Sequence, residues 1–167
     1  PVFIWLQVLS MKVFGINEFA ARLPNALIGV VSMLVLFSIG SRVNGQRFGI
    51  LWCVVYAGSL LPHFYFRSGI IDPLFNLFIF LSVWSMIKEG RSGTNEWGIG
   101  VRSGLWAGLA VMTKGPVGFG LVMLTTAVVW LILRKRMPLP WRQVLSATIT
   151  TIAVTSVWFG VDYIQNG

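Results

Sequence analysis

The stretch 24–41, PNALIGVVSMLVLFSIGS, contains no charged side chain from end to end. A transmembrane α-helix needs about 20 consecutive apolar residues to cross the hydrocarbon core of a bilayer. Working outward along the chain, comparable apolar stretches lie at about 24–41, 48–66, 71–87, 98–113, 116–133 and 144–163. The sequence therefore predicts an all-α fold, a multi-pass transmembrane helix bundle of about six spans.

The overall composition argues against a water-soluble domain. Of 167 residues, 56% are hydrophobic and only 11% are charged. One small core cannot bury that much apolar sequence without leaving large exposed patches. The formal net charge of +8 does not predict a nucleic-acid partner, because no basic stripe with interleaved aromatic residues occurs and the basic loops are short.

The distribution of basic residues decides between two readings of the segment around Thr113–Pro116. The flanking stretches could form one long helix or two separate spans. With two spans, one face of the membrane receives most of the basic side chains, namely Arg42, Arg47, Lys88, Arg91, Arg102, Arg134, Lys135, Arg136 and Arg142. The other face receives Lys12, Arg22, Arg67 and Lys114. This asymmetry favours two spans and predicts that the first, larger group is cytoplasmic.

Residues 1–23 differ from the rest of the chain. Apolar residues recur there at helical spacing with Gln7, Ser10 and Lys12 between them, and Gly15-Ile16-Asn17 then breaks the pattern. The pattern predicts an amphipathic helix on the outer membrane interface, followed by a loop. We expect residues 24–163 to supply the transmembrane helices, with the whole of 1–167 forming part of one transmembrane domain.

Ionisable groups near the outer ends of the apolar spans are candidates for function, because charge at membrane depth is costly. These groups are Glu18, Arg22, His63, Arg67, Asp72, Lys114 and Asp162. Arg67 and Asp72 are the most informative, since they flank one tight connection between the second and third spans. A plainer interpretation makes Asp72 a helix cap before Pro73, Lys114 a snorkelling anchor and His63 an interfacial polar residue.

Metal and disulfide chemistry find little support in the sequence. There is one His and one Cys, Cys53, which lies within an apolar run. An intramolecular disulfide is excluded, and a metal site within this segment is not predicted.

Three motifs in order resemble the GT-C glycosyltransferases. They are FGINEFAARLP at 14–24, the segment from Arg67 to Asp72, and Thr113-Lys114-Gly115-Pro116. The resemblance covers nearly the whole chain and is closest to the branch that contains the protein O-mannosyltransferases and the lipid A aminoarabinose transferase. It implies transfer of a sugar from a polyprenyl-phosphate donor to a lipid or protein acceptor on the outer side of the membrane.

The same resemblance implies roles for individual residues. Asp72 would be the second conserved acid of the site and is the candidate catalytic residue of this segment. Lys114 and Arg67 would hold the lipid phosphate or the acid network, and Arg22 with Glu18 would shape the first outer loop. His63 is added as a substrate-binding candidate. No cofactor is assigned, and a divalent metal cation is left open.

The resemblance also implies that part of the family pattern lies outside this segment. The first membrane helix and the outer loop with the principal catalytic acid would precede Pro1, so we expect the 167 residues alone to be inactive. The short loops predict a bacterial inner membrane with the site on the periplasmic side. There are two alternatives. One is a transporter, and the other is a non-catalytic scaffold whose helices pack through Gly98, Gly100, Gly104 and Gly108.

Overall fold

A computed structural model describes residues 1–89, 95–133 and 140–166. These residues form α-helices and no strand, which confirms the predicted all-α class. The helices are α1 (Val2–Phe14), α2 (Glu18–Gly58), α3 (Leu60–Arg67), α4 (Asp72–Glu89), α5 (Glu96–Lys114), α6 (Val117–Leu133) and α7 (Trp141–Asn166).

Two of the described helices are long and apolar enough to cross a membrane, within Glu18–Gly58 and Trp141–Gly160. Shorter apolar helices occupy Val2–Phe14, Asp72–Ile87 and Val117–Ile132. The number of about six spans stays a prediction.

Helix α2 is a helical hairpin rather than one straight rod. Its backbone leaves the helical region at Asn44 and at Gly45, where φ is 82°. Beyond this break the chain returns along itself, since a Cβ at Gly40 would lie 2.8 Å from the Gly49 Cα and the Cys53 thiol donates to the Met33 carbonyl at 3.3 Å. The predicted turn between the first two apolar stretches is thus present, with glycine at the position whose positive φ requires it.

The boundaries of these stretches differ from the prediction in two places. The helix that contains the first apolar stretch, α2, begins at Glu18 and is capped by Asn17. Pro24 therefore lies inside α2 rather than at its start. The second stretch, 48–66, is interrupted at Ser59, where ψ is 140°. Pro62 explains the interruption, because its ring nitrogen cannot donate to the Gly58 carbonyl and its ring crowds that turn.

The described residues divide into two compact units, Pro1–Leu74 and Phe75–Gly167. In the first unit, α1 is followed by Gly15, and the side-chain nitrogen of its Gln7 donates to the Ala21 carbonyl of α2 at 3.2 Å. A helix is thus present at the N-terminal end, while its amphipathic character and its place at the membrane interface stay predictions.

The second unit is built on close packing of α5 against α7. A Cβ at Gly100 would overlap the Ser146 hydroxyl, and one at Gly108 would lie 2.8 Å from the Val154 Cβ. α5 and α6 are separate helices that pack against each other, because a Cβ at Gly118 would lie 3.1 Å from the Ala110 Cβ. The alternative of one long helix through Thr113–Pro116 is therefore wrong.

Several polar side chains are buried in both units, while many large apolar side chains are exposed. Ser82 and Ser103 exchange hydrogen bonds between α4 and α5, each hydroxyl donating to the other's carbonyl at 2.9 and 3.0 Å. The exposed fractions of Leu34, Leu131 and Val157 are 62%, 63% and 71%. Helices that meet lipid show this distribution, since lipid satisfies apolar surfaces and leaves small and polar residues to join the helices.

Candidate active site

The first charged pair lies at the start of α2. The Asn17 side-chain oxygen accepts from the Ala20 amide at 2.7 Å and caps the helix, which fixes the first turn. One turn separates Glu18 from Arg22, and their carboxylate and guanidinium approach to 3.4 Å. The side chains are 87% and 58% exposed, so the pair contributes little to stability and leaves both charges at the surface.

A buried amide one turn further along α2 organises the neighbouring connection. Asn25 is fully buried, and its nitrogen donates to the carbonyls of Ser68 at 2.5 Å and Ile70 at 2.7 Å. The Tyr65 carbonyl lies 3.4 Å from the same nitrogen. Because three acceptors converge on it, this end of the side chain must be the NH₂ group.

Sequence reasoning did not select Asn25. The available signal was a carboxamide directly after Pro24 within an otherwise apolar stretch, in a chain where buried polar groups must find partners. The partners themselves lie 40 to 45 residues later in the chain.

Arg67 and Asp72 stand at the two ends of the connection that Asn25 holds. Arg67 is the last residue of α3 and is exposed, whereas Asp72 is the first residue of α4 and is half-buried. An acid in the first turn of a helix is favoured by the backbone dipole, so a helix-stabilising role also fits Asp72, although from within the first turn and not as the residue before it. Since α4 begins at Asp72 itself, Pro73 is its second residue rather than its first.

The connection also lies beside the Glu18–Arg22 pair. A Cβ at Gly69 would stand 3.5 Å from the Ala21 carbonyl, and Ala21 directly precedes Arg22. The first unit therefore brings four of the predicted residues, Glu18, Arg22, Arg67 and Asp72, to one end of the α2 hairpin. Their chemical roles stay predictions.

His63 lies on the exposed surface of α3. Its ring meets the Phe64 ring edge-on, with 6.3 Å between centroids. Within residues 1–89, 95–133 and 140–166, no group of three His, Cys, Asp or Glu side chains converges to hold a metal ion.

Lys114 belongs to the second unit, where it is the last residue of α5. Gly115 follows with φ of 90°, and its amide donates to the Val111 carbonyl at 2.7 Å. The Lys114 ammonium lies 5.6 Å from the ring centroid of buried Phe75, within range of a cation–π interaction. An ammonium that leaves a helix C-terminus is also favoured by the dipole. The side chain of Asp162, in α7, is not among those that the structure describes.

The described residues are helical, and many of their large apolar side chains are exposed, as in proteins whose helices meet lipid. The family described as dolichyl-phosphate-mannose-protein mannosyltransferase matches residues 1–159. The chain belongs to this family.

Curated relatives support the same assignment. The undecaprenyl phosphate-alpha-4-amino-4-deoxy-L-arabinose arabinosyl transferase of Edwardsiella ictaluri is 24% identical over 92% of this chain and 28% of its own length. Two similarly named transferases of Pseudomonas fluorescens are 28% and 30% identical, each over 92% of this chain and over 28% and 27% of their own lengths. The chain thus spans less than a third of these relatives. No solved structure was found to match it.

Proposed function

We propose that the protein to which this chain belongs is a membrane glycosyltransferase, which moves a sugar from a polyprenyl-phosphate donor to a lipid or protein acceptor on the outer face of the membrane. The observation that carries the proposal is the family match over residues 1–159. The names of the relatives, which specify an undecaprenyl-phosphate-linked sugar, support this donor class.

Glycosyl transfer from a polyprenyl phosphate requires a carboxylate that accepts a proton and cations that stabilise the leaving phosphate, and the candidate residues include both. An acceptor hydroxyl attacks the anomeric carbon of the donor, the bond from that carbon to the phosphate oxygen breaks, and the hydroxyl proton passes to a carboxylate. Asp72 is the carboxylate proposed for this segment of the site. The polyprenyl phosphate leaves with the electron pair, and fixed cations stabilise the charge that develops on it.

We assign the cationic role to Arg22, Arg67 and Lys114. Arg22 and Arg67 are exposed at one end of the first unit, where a lipid phosphate could reach them, and Lys114 is exposed at the end of α5. Glu18 orients Arg22 through their ion pair, and His63 is a polar contact for the substrate.

The topology proposed with this function is multi-pass, with the candidate site on the periplasmic side of a bacterial inner membrane. The exposed apolar surfaces of α2, α6 and α7 support contact with lipid, and the basic residues of the α2 turn support a cytoplasmic turn. No observation favours the transporter or the scaffold over the enzyme.

The test is sugar transfer by the full-length protein from a radiolabelled polyprenyl-phosphate donor, with Asp72→Asn and Lys114→Ala. Each substitution should lower kcat by about 100-fold or more, as expected for loss of a catalytic acid–base or electrostatic group. Glu96→Gln is the matched control for Asp72→Asn, since Glu96 is also an acid in the first turn of a helix. Lys12→Ala controls for loss of an exposed cation.

Both controls should keep transfer within about twofold of the wild-type rate. Full activity in Asp72→Asn and Lys114→Ala, with normal membrane insertion, would show that Asp72 is a helix-terminal residue and Lys114 a membrane anchor.

A further inference from the structure

We propose that Asn25 is a positioning residue for the glycosyl transfer described above, acting through the connection 68–71 on Arg67 and Asp72. The inference rests on the proposed function. It assigns to Asn25 no contact with substrate, so its effect must pass through the backbone that it binds.

The geometry makes Asn25 the main polar link between α2 and the connection. The carbonyls of Ser68 and Ile70 lie outside regular helix and require donors once they are turned toward the protein. Asn25 supplies both donors from a single NH₂ group, at 2.5 and 2.7 Å. These two carbonyls are two residues apart in the connection. The two hydrogen bonds therefore fix the direction of the connection as well as its distance from α2.

Apolar packing supports the same placement but does not replace it. The Phe66 ring lies on the α2 backbone at Gly29, where a Cβ would come within 2.9 Å of the ring. This contact sets how closely α3 approaches α2. It cannot set the rotation of the peptide groups after Ser68, which carry Asp72 at their far end.

The side-chain oxygen of Asn25 separates a role as hydrogen-bond donor from a role in packing alone. The Asn25 side-chain oxygen is buried, and no donor among the described residues reaches it. An unsatisfied buried acceptor costs free energy, so a hydrophobic or smaller residue would be favoured here if only packing mattered. The position therefore uses the carboxamide as a donor, and that requirement can be tested with an isosteric carboxyl.

The variants are Asn25→Ala, which removes the donors, and Asn25→Asp, which keeps the shape but directs an anionic oxygen at carbonyl oxygens. Ser32→Ala is the matched control, because Ser32 is a buried polar residue two turns along the same face of α2. All are made in the full-length protein in detergent or nanodiscs.

Two measurements are combined. Hydrogen exchange of the peptide covering residues 66–74 reports directly on the connection, and steady-state transfer gives kcat and KM. Asn25→Ala should accelerate exchange in this peptide by about tenfold and lower kcat by about tenfold or more, the scale expected for losing two buried hydrogen bonds. Ser32→Ala should change both by less than about twofold.

The pH profile supplies a signature that general loss of packing would not produce. At neutral pH Asn25→Asp should be more impaired than Asn25→Ala, because its carboxylate repels the Ser68 and Ile70 carbonyls. On acidification the introduced carboxyl gains an O–H donor, so the rate of Asn25→Asp relative to Asn25→Ala at the same pH should rise. The charged and titratable groups near this end of the packed helices are present in both variants; they are Lys12, Glu18, Arg22, Tyr56, His63, Tyr65, Arg67 and Asp72. Because both variants contain them, the ratio reports chiefly the introduced carboxyl and its coupling to these neighbours.

Unchanged exchange in residues 66–74 of Asn25→Ala, or a flat pH ratio, would overturn the inference. Faster exchange with unchanged kcat would also overturn it, since the connection would then be anchored without serving transfer. A wild-type protein that transfers no sugar would instead reject the proposed function, and the exchange result would still report whether Asn25 anchors the connection. If Asn25→Ala fails to insert, Asn25→Asp is compared with wild type at the same pH instead: exchange in residues 66–74 should be faster than in wild type at neutral pH, and the ratio of the two transfer rates should rise on acidification. An unchanged exchange rate or a flat ratio would overturn the inference.

Discussion

Three glycines lie at breaks between helical segments of the described chain. Positive φ occurs at Gly15, Gly45 and Gly115, with values of 80°, 82° and 90°, and each of these residues separates helical segments. Gly115 is the most informative for function, because it stands between Lys114 and Pro116 and ends α5. Its backbone amide still donates to the Val111 carbonyl, so α5 keeps its helical hydrogen bonding as far as Gly115, and the chain turns away from α5 at this residue.

Replacing Gly115 with alanine should destabilise the protein by about 1–2 kcal/mol, because an L side chain is strained at φ of 90°. Nothing lies within 4 Å of the added Cβ, so the cost would come from the backbone and not from a clash. The free energy of unfolding can be followed by circular dichroism during titration of detergent-solubilised protein with SDS.

Gly120→Ala is the control for this measurement. Its Cβ would also meet open space, but Gly120 lies within α6, where alanine is the better helix former by up to about 1 kcal/mol. Gly120→Ala should therefore be neutral or stabilising. Equal effects at the two positions would contradict a special backbone requirement at Gly115.

At the scale of helices, small residues and buried polar groups join α5 to α7. Gly100, Gly104 and Gly108 all face α7, while Gly98 faces its own capping residue, Asn95. The Thr151 hydroxyl donates across the interface to the Gly104 carbonyl at 3.2 Å, and Gln143 donates to the Met86 carbonyl of α4 at 3.0 Å. Three of the four glycines named in the sequence analysis therefore pack α5 against α7, as expected in an enzyme and in a scaffold alike.

Gly104→Val should separate α5 from α7, because its Cβ would overlap the Ala147 carbonyl, which belongs to backbone that cannot rotate away. We expect a loss of about 3 kcal/mol or more in the free energy of unfolding, since the overlap is with rigid atoms. Gly160→Val places the same side chain on α7 at a position with nothing within 4 Å. A comparable loss in both variants would mean that valine itself, and not the close approach, is responsible.

At the scale of the whole molecule, the distribution of basic residues predicts which end of the α2 hairpin faces the cytoplasm. Arg42 and Arg47 flank its turn, and Ile16 precedes its opposite end with 93% of its surface exposed. The positive-inside rule places the turn in the cytoplasm and Ile16 outside.

Substituted cysteines test this orientation in the full-length protein after removal of Cys53 and any other thiols. In intact spheroplasts, a membrane-impermeant maleimide should label Ile16→Cys at once and Arg47→Cys only after permeabilisation. Both positions are exposed in the structure, so differences in labelling report the side of the membrane. Labelling of Arg47→Cys from outside would reverse the orientation and remove the candidate site from the periplasm.

The sequence alone was sufficient for the all-α class, for the helices around residues 2–14, 72–89, 96–114 and 117–133, and for the family. Apolar length, turn residues and motif order are local properties, so they can be read without knowing which helices meet. Exact ends were harder to predict, because Asn17 capping and the Pro62 break at Ser59 depend on competition between neighbouring turns.

Only the tertiary structure revealed that Asn25 binds the Arg67–Asp72 connection and that Gly100, Gly104 and Gly108 receive α7. In this apolar chain most side chains suit many partners, and hydrophobicity does not say which helix faces which. The pairing is decided by the few buried polar groups and close backbone approaches, because unsatisfied donors and overlapping atoms are costly while lipid replaces protein at apolar surfaces. Such contacts join residues far apart in the chain, so the carboxamide of Asn25 shows its role only when the carbonyls of Ser68 and Ile70 are in place beside it.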